Sequence, residues 1–347
     1  MKKLSLIAAF CAAGFAVDAA ILRVNNNTGI SANYTDVQAA ISAAAAGDTI
    51  LVEPSATGYS GITLNKRLVI LGNGYFNNAN VNGGLHTMNA GLQANDKNSV
   101  LGSITFDLGS GHSVVMGLVA NAVWIYESDI TVKRCWVGHF YLNNSNTSGG
   151  NYGNRDSINI SQNVITGNLQ TYYFSASGGI GITDVNIQNN IFHASNYVYV
   201  SLPVGVQGYF QNNIYDNWYG AISMWGFQIA NNIIVNGGFT ANNSVYFNNI
   251  STGTQFGTAN SNQQNVAATT IFSNYNGSGQ TETRYYLNPS GPAVGAGFNG
   301  VDIGAFGGPD PYKLSGIPPI PSIYSLSAPA TTTTNTLQVT ISTRSNN

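Results

Sequence analysis

The sequence predicts an all-β chain wound as a parallel β-helix, and three observations carry that prediction. A phrase of one pattern returns six times, as I-T-V-K-R-C-W-V, I-N-I-S-Q-N-V-I, V-N-I-Q-N-N-I-F, G-Y-F-Q-N-N-I-Y, F-Q-I-A-N-N-I-I and S-V-Y-F-N-N-I. Anchored on Cys135, Asn163, Asn190, Asn213, Asn232 and Asn249, the phrases lie 28, 27, 23, 19 and 17 residues apart, the span of one solenoid coil. The third observation is chemical: apolar side chains keep fixed offsets from each anchor. Three residues before it stand Val132, Ile160, Ile187, Phe210 and Ile229, and one residue after it Trp136, Val164, Ile191, Ile214 and Ile233.

Both columns are apolar, so both should face a core. Four residues before the anchor, Thr131, Asn159, Asn186, Tyr209 and Gln228 mark the solvent side of a strand with period two. The anchor then sits between two strands. Asn tolerates the left-handed conformation, so the anchor itself is expected to turn the chain. Coils stacked about 4.8 Å apart would bring the amides into register, where they can hydrogen-bond along the column and satisfy one another. The last phrase reads as out of register, with Phe247 two residues before Asn249. An Asn-rich low-complexity segment is the competing reading, since Asn supplies 46 and Gly 40 of 347 residues. Low complexity would not hold Val, Ile and Phe at constant offsets.

Charged residues make up 7% of the chain and apolar residues 43%, with a net charge of -2. That balance excludes disorder driven by charge and offers no basic field for nucleic acid. The opening M-K-K-L-S-L-I-A-A-F-C-A-A-G-F-A-V-D-A-A has the basic start, apolar run and small-residue site of a signal peptide covering residues 1–19; an N-terminal helix is the alternative. No later stretch is apolar for long enough to span a membrane. The mature chain is expected to be secreted or held at the cell surface, and monomeric. After cleavage Cys135 is the single cysteine, so no intrachain disulfide is expected.

At the N-terminal side, Thr35 with Gln38 reads as a T-x-x-Q capping box, and Val37, Ala40, Ile41 and Ala44 form one apolar face, so a helix over residues 35–44 should cap the open first coil. Two strands follow, in G-D-T-I-L-V-E-P and G-I-T-L-N-K-R-L-V-I-L-G. The run from Tyr34 to Gly72 resembles the start of right-handed parallel β-helix proteins of the pectate-lyase-like superfold. The segment S-G-P-A-V-G-A-G-F-N-G-V-D-I-G-A-F, Ser290 to Phe306, is similar to the closing segment of exported bacterial members. The resemblance covers roughly residues 30 to 308. It implies the fold and leaves activity open, because that fold hosts lyases, hydrolases, epimerases, adhesins and inactive relatives. The β-helix domain is therefore expected over residues 20–310. Residues 311–347, Pro-rich and then Thr-rich, should form a C-terminal cap or hairpin; a secretion or anchoring signal is the functional alternative.

Enzymes of this superfold, as the resemblance implies, work on acidic polysaccharides along an outer groove. Its lyases use calcium-binding carboxylates with an Arg or Lys base, and its hydrolases use Asp groups with G-H-G and R-I-K. Neither motif is present, and His112 in S-G-H-S-V does not restore one. The columns themselves yield one acid-base pair: three residues after the anchor, His193 and Asp216 fall on adjacent coils, where a carboxylate can orient an imidazole for proton transfer. A surface hydrogen bond is the plainer reading. Asp129, Asp156 and Asp184 are candidate calcium ligands, since calcium takes hard oxygen donors; solvated turn carboxylates are the alternative. Lys133, Arg134 and Arg155 lie near these acids and are read as their ion-pair partners, with binding of an acidic sugar as the alternative.

Tyr172, Tyr173, Tyr197, Tyr199, Trp218, Tyr219 and Trp225 cluster in the middle coils, where rings with a polar edge can stack on sugars or pack long turns against the barrel. The expectation is an exported cell-surface or extracellular scaffold that binds carbohydrate, a polysaccharide or cell-surface glycan, or mediates surface contact, without a complete catalytic set. The alternative is a polysaccharide lyase or glycoside hydrolase using His193 and Asp216 or a calcium site; a purely structural protein is the third possibility.

Overall fold

The computed structural model describes residues 19–76, 80–81, 84–85, 92, 94–145, 153–172, 174, 181–276, 281–331 and 335–345. The expected signal peptide, but for Ala19, lies outside this set, as does Tyr173. The chain forms a right-handed parallel β-helix with two long parallel sheets of 10 and 11 strands. The 10-stranded sheet, face A, carries the strands that precede each anchor. The second sheet bends around a corner, so its strands supply face B just after the anchor and face C further on. Trp136–Leu142, Ile214–Trp225 and Ile233–Asn242 each run through that corner. Among the described residues no helix is long and apolar enough to cross a membrane.

On face A the column Val115, Val132, Ile160, Ile187, Phe210, Ile229 is in register from coil to coil and is buried inside the barrel. Ile229 pairs with Tyr246 and Ala230 with Phe247. The sixth phrase is therefore in register, with Tyr246 in the inward column; the expected slip at Phe247 arose from aligning on the larger apolar residue rather than on the offset.

The Asn column forms the ladder. Asn163, Asn190, Asn213, Asn232 and Asn249 are all fully buried, and each Nδ2 donates to the Oδ1 of the next at 2.9–3.1 Å. Asn262, absent from the sequence reading, adds one more rung by accepting from Asn249 Nδ2 at 3.0 Å. Cys135 starts the column, its backbone N–H donating to Asn163 Oδ1 at 2.8 Å. Burial pushes its thiol up to about 12, in keeping with a small space-filler.

The left-handed turn is made one residue earlier than expected. Arg134, Gln162, Asn189, Asn212, Asn231 and Asn248 have φ of 52–57°, leaving the ladder Asn outside that region. This shift has a consequence for the rest of the molecule, because the turning residues point their side chains outward. Asn248 donates to Ala296 O at 3.0 Å, Asn212 to Asp302 O at 3.3 Å, Asn189 to Ala305 O and Gly307 O at 2.9 and 2.7 Å, and Arg134 to Ile317 O at 2.9 Å. Asn231 Oδ1 accepts from Phe298 N at 2.8 Å. The segment after the last coil thus runs back along face B as a strap.

The strap explains the second apolar column. Residues one after the anchor do not face the barrel interior; that place is taken by Val137, Ile165, Phe192, Tyr215 and Ile234, two after it. Trp136, Val164, Ile191, Ile214 and Ile233 point outward and form a separate core with strap residues that include Ile271, Phe272, Tyr285, Ala293, Ile303 and Tyr312. A strand apolar on both faces has to be covered on both.

The N-terminal helix covers Val37–Ala43, with Val37, Ala40 and Ile41 buried, but its cap is Asp36, whose carboxylate accepts from Ala39 N at 2.8 Å. Thr35 is one residue too early, and Gln38 instead bonds Thr63 N and O on the coil above. Near the C-terminus, Ser322–Ser327 and Thr340–Arg344 pair as an antiparallel hairpin. The strap crosses residue 310 without a break, since Tyr312 and Ile317 are both buried.

Candidate functional site

The structure brings His193 and Asp216 together as paired neighbours on adjacent strands. His193 Nδ1 lies 3.9 Å from Asp216 Oδ2, and between them the strap inserts Tyr285. Its hydroxyl is 2.8 Å from His193 Nδ1 and donates to Asp216 Oδ2 at 2.9 Å. Tyr275 OH donates to the same oxygen at 3.1 Å, and Asn236 Nδ2 to Oδ1 at 2.6 Å. Asn236 occupies this place through a register shift that puts it, not Val235, opposite Asp216.

Burial lowers the His193 pKa, with Asp216 opposing the shift and Arg284 adding to it. Burial and then the Asp216 charge push Tyr275 up to about 12 and Tyr285 well above its ordinary value. Both phenols therefore stay protonated as donors. Because the single Tyr285 proton goes to Asp216, its oxygen is free to accept from His193 Nδ1–H. The Asp216 side chain is only 8% exposed, and both its oxygens are engaged by protein donors. The arrangement fastens the strap to the coils.

Two of the three aspartates lie in a turn column of their own, with Asp156 one residue ahead of its third position. Six residues before the anchor, Asp129, Ser157 and Asp184 have φ of 51–56°, and His112, Gly226 and Asn243 repeat the same conformation on other coils. All but Ser157 are residue types that enter the left-handed region most readily. Asp129 lies 3.7 Å from His112 Nε2, Asp184 accepts weakly from Ser157 Oγ at 3.5 Å, and Asp156 N bonds Ser128 Oγ at 3.2 Å. Among the described residues no group of three or more His, Cys, Asp or Glu side chains is placed to hold a metal ion. Among the described residues the neighbouring cations form no ion pair with these acids. Lys133 pairs with Asp310 at 2.5 Å, Arg134 bonds Gln162 and Ile317, and Arg155 donates to Tyr126 O and Asn154 O.

The aromatic residues gather on face C and the turn leading into it. Between Asp216 and Ala221 the strand makes a four-residue excursion against a single residue of the next coil, and Trp218 and Tyr219 sit at its tip, 79% and 63% exposed. The excursion is braced. Buried Asn217 donates to Ala194 O and Asn196 O at 2.9 and 2.6 Å, and accepts from Val198 N at 3.2 Å. Tyr215 OH donates to Val198 O at 2.5 Å. Gly220 is required there, since a Cβ would fall 1.9 Å from Val198 O. On the loop so held, Tyr197 is 59% exposed; it stacks on Tyr199 at 5.7 Å and meets the Tyr219 edge at 5.7 Å. Trp225 is half-buried at the far end of the same strand.

Further toward the N-terminus, Tyr172 is 58% exposed and sets its edge against Trp124 and Tyr141, which stack at 4.1 Å. His139 lies parallel to Tyr141 at 5.8 Å. Its Nδ1 accepts from Asn168 N at 2.9 Å, which places the proton on Nε2, and burial lowers its pKa. Trp124, His139 and Tyr141 escaped the sequence reading. Their signal was the period-two alternation in A-V-W-I-Y and H-F-Y-L, with Val123, Ile125, Phe140 and Leu142 directed inward.

No family model matches the chain, and neither a curated protein nor a solved structure matches it significantly. The fold defines the chain as a parallel β-helix, and the two assemblies above are its candidate functional features.

Proposed function

We propose that the chain is an exported or surface-held β-helix of the pectate-lyase-like kind that binds carbohydrate on face C without cleaving it. One observation carries the reading: the Trp218–Tyr219 tip is solvent-exposed yet rigidly braced by Asn217, Tyr215 and the loop beneath. Rings with an apolar face and a polar edge stack on sugar faces, and a platform already held in place loses little conformational freedom on binding. Tyr197 and Tyr199 extend the platform across the neighbouring coil. The lyase or hydrolase alternative depends on His193 and Asp216 or on a calcium site around Asp129, Asp156 and Asp184; the strap engages the first pair through Tyr285 and Tyr275, and among the described residues no group of three such side chains is placed to hold an ion.

Glycan binding followed by intrinsic tryptophan fluorescence and by retardation in glycan-containing gels tests the reading. Trp218→Ala and Tyr219→Ala should each weaken binding by roughly threefold to tenfold, as expected for one lost stacking contact, while thermal stability is retained. His193→Ala should leave binding intact. Unchanged affinity in both aromatic variants, or turnover abolished by His193→Ala, would refute it.

A further inference from the structure

Face C differs from the surroundings of an acidic-polysaccharide site in its charge. Its outermost column runs in register through Thr63, Thr105, Trp124, Tyr141, Gln170, Ser201, Ser223 and Thr240. The outward column beside it includes Ser103, Ala122 and His139, then Tyr199, Ala221 and Gly238. Neither run contains Asp, Glu, Lys or Arg. His139, the one titratable imidazole there, is kept from charging by burial, and its Nδ1 is occupied by the Asn168 N–H.

At the N-terminal end of face C, Lys66 donates to Ser42 O and Ala44 O and Arg67 is exposed on the same turn; the cations beside the aromatic middle coils are turned elsewhere. Lys133 and Arg134 serve the strap, and Arg155 is buried against two carbonyls. On the later turns between face C and face A, beside the aromatic coils, Asp107, Glu127, Asp129, Asp156 and Asp184 are all at least partly exposed. The edge of the aromatic platform is thus negative and the platform itself neutral.

We infer that face C takes a neutral glycan and rejects polyuronates; this rests on the carbohydrate-binding reading above and names its substrate class. A polyuronate presents a carboxylate on each sugar. Pressed against uncharged columns, those carboxylates lose water without gaining a counter-charge, which is unfavourable, and the acidic edge repels them on approach. Hydroxyls of a neutral sugar meet instead the Ser, Thr and Gln groups of the outer column and the His139 Nε2–H, with its apolar face left for the rings.

The test uses the full mature chain with neutral β-glucan, xylan and galactomannan against polygalacturonate and alginate, each with calcium and with chelator. The expected result is retention on at least one neutral glycan and affinity at least tenfold weaker for both polyuronates. Ser201→Lys with Ser223→Lys, at exposed positions of the outer column, should confer polyuronate binding on a chain that lacks it. Tight polyuronate binding by the parent chain, abolished by Trp218→Ala, would overturn the neutral class and keep the face. Neutral-glycan binding indifferent to Trp218→Ala and Tyr219→Ala would overturn the face itself, and silence on every glycan would overturn both.

Discussion

Replacing Asn213 by Leu interrupts the ladder at its centre with a side chain of similar length and no polar atoms. Asn213 Oδ1 accepts from Asn190 N and Nδ2, both at 3.0 Å, and its Nδ2 donates to Ile187 O at 2.8 Å and Asn232 Oδ1 at 3.1 Å. In the variant the Asn190 backbone N–H loses its acceptor entirely. Asn190 Nδ2 keeps Ile160 O and loses one bond, whereas Asn232 Oδ1 keeps the Asn213 N–H. Two buried donors are therefore left short, at about 1–3 kcal/mol each, for a total of about 2–6 kcal/mol. Because a solenoid coil contacts only its neighbours, the loss should centre on the coils carrying Ile187, Phe210 and Ile229. Urea unfolding followed by circular dichroism gives the total, and amide exchange gives its location. A loss below about 0.5 kcal/mol, or one spread evenly over the barrel, would refute the ladder as a source of stability.

Other outcomes follow from single contacts. Asp36→Ala removes the helix N-cap and should cost about 0.5–2 kcal/mol, while Thr35→Ala should cost much less; equal effects in thermal melts would contradict the cap assignment. Tyr285→Phe deletes the hydroxyl shared by His193 and Asp216 and should destabilise by about 1–3 kcal/mol, with proteolysis of the strap rising before the coils open. Burial depresses His193 in the folded chain, so folding favours its neutral form. Its contribution is complete above the unfolded value of about 6.5 and falls away as pH drops from there through the lower folded value. The melting temperature should decline over that window, and His193→Asn should flatten the decline; an unchanged slope would show that another group governs it.

The architecture was written in the sequence because a coil must repeat its inward positions wherever its neighbours stack. The Asn spacing gave the coil length, and the residues three before each anchor gave the face A core. The pairing of His193 with Asp216 followed from counting along the same frame, as did the concentration of aromatics in the middle coils. What the residue pattern left undetermined was direction. Two consecutive apolar residues after each anchor satisfy a periodic reading equally well whether one or both are inside, and only the returning strap shows that Trp136, Val164 and Ile191 serve a second core.

The same limit applies to the turns and to the site. Asn is common at both positions of the N-N pair, so sequence alone could not separate the left-handed Asn189, Asn212 and Asn231 from the amide-stacking Asn190, Asn213 and Asn232. Backbone conformation and side-chain direction make that distinction. The strap contacts lie about 50 to 240 positions away along the chain, among them Asn248 to Ala296, Tyr285 to Asp216 and Tyr312 to Tyr75, beyond the reach of any local periodicity. Short-range repetition thus determined the barrel, its ladder and its neutral composition. The tertiary structure alone decided which apolar column is covered by the strap, that the His193–Asp216 pair is engaged by it, and that Trp218 and Tyr219 stand braced and open to solvent, because each depends on segments meeting that no repeat connects.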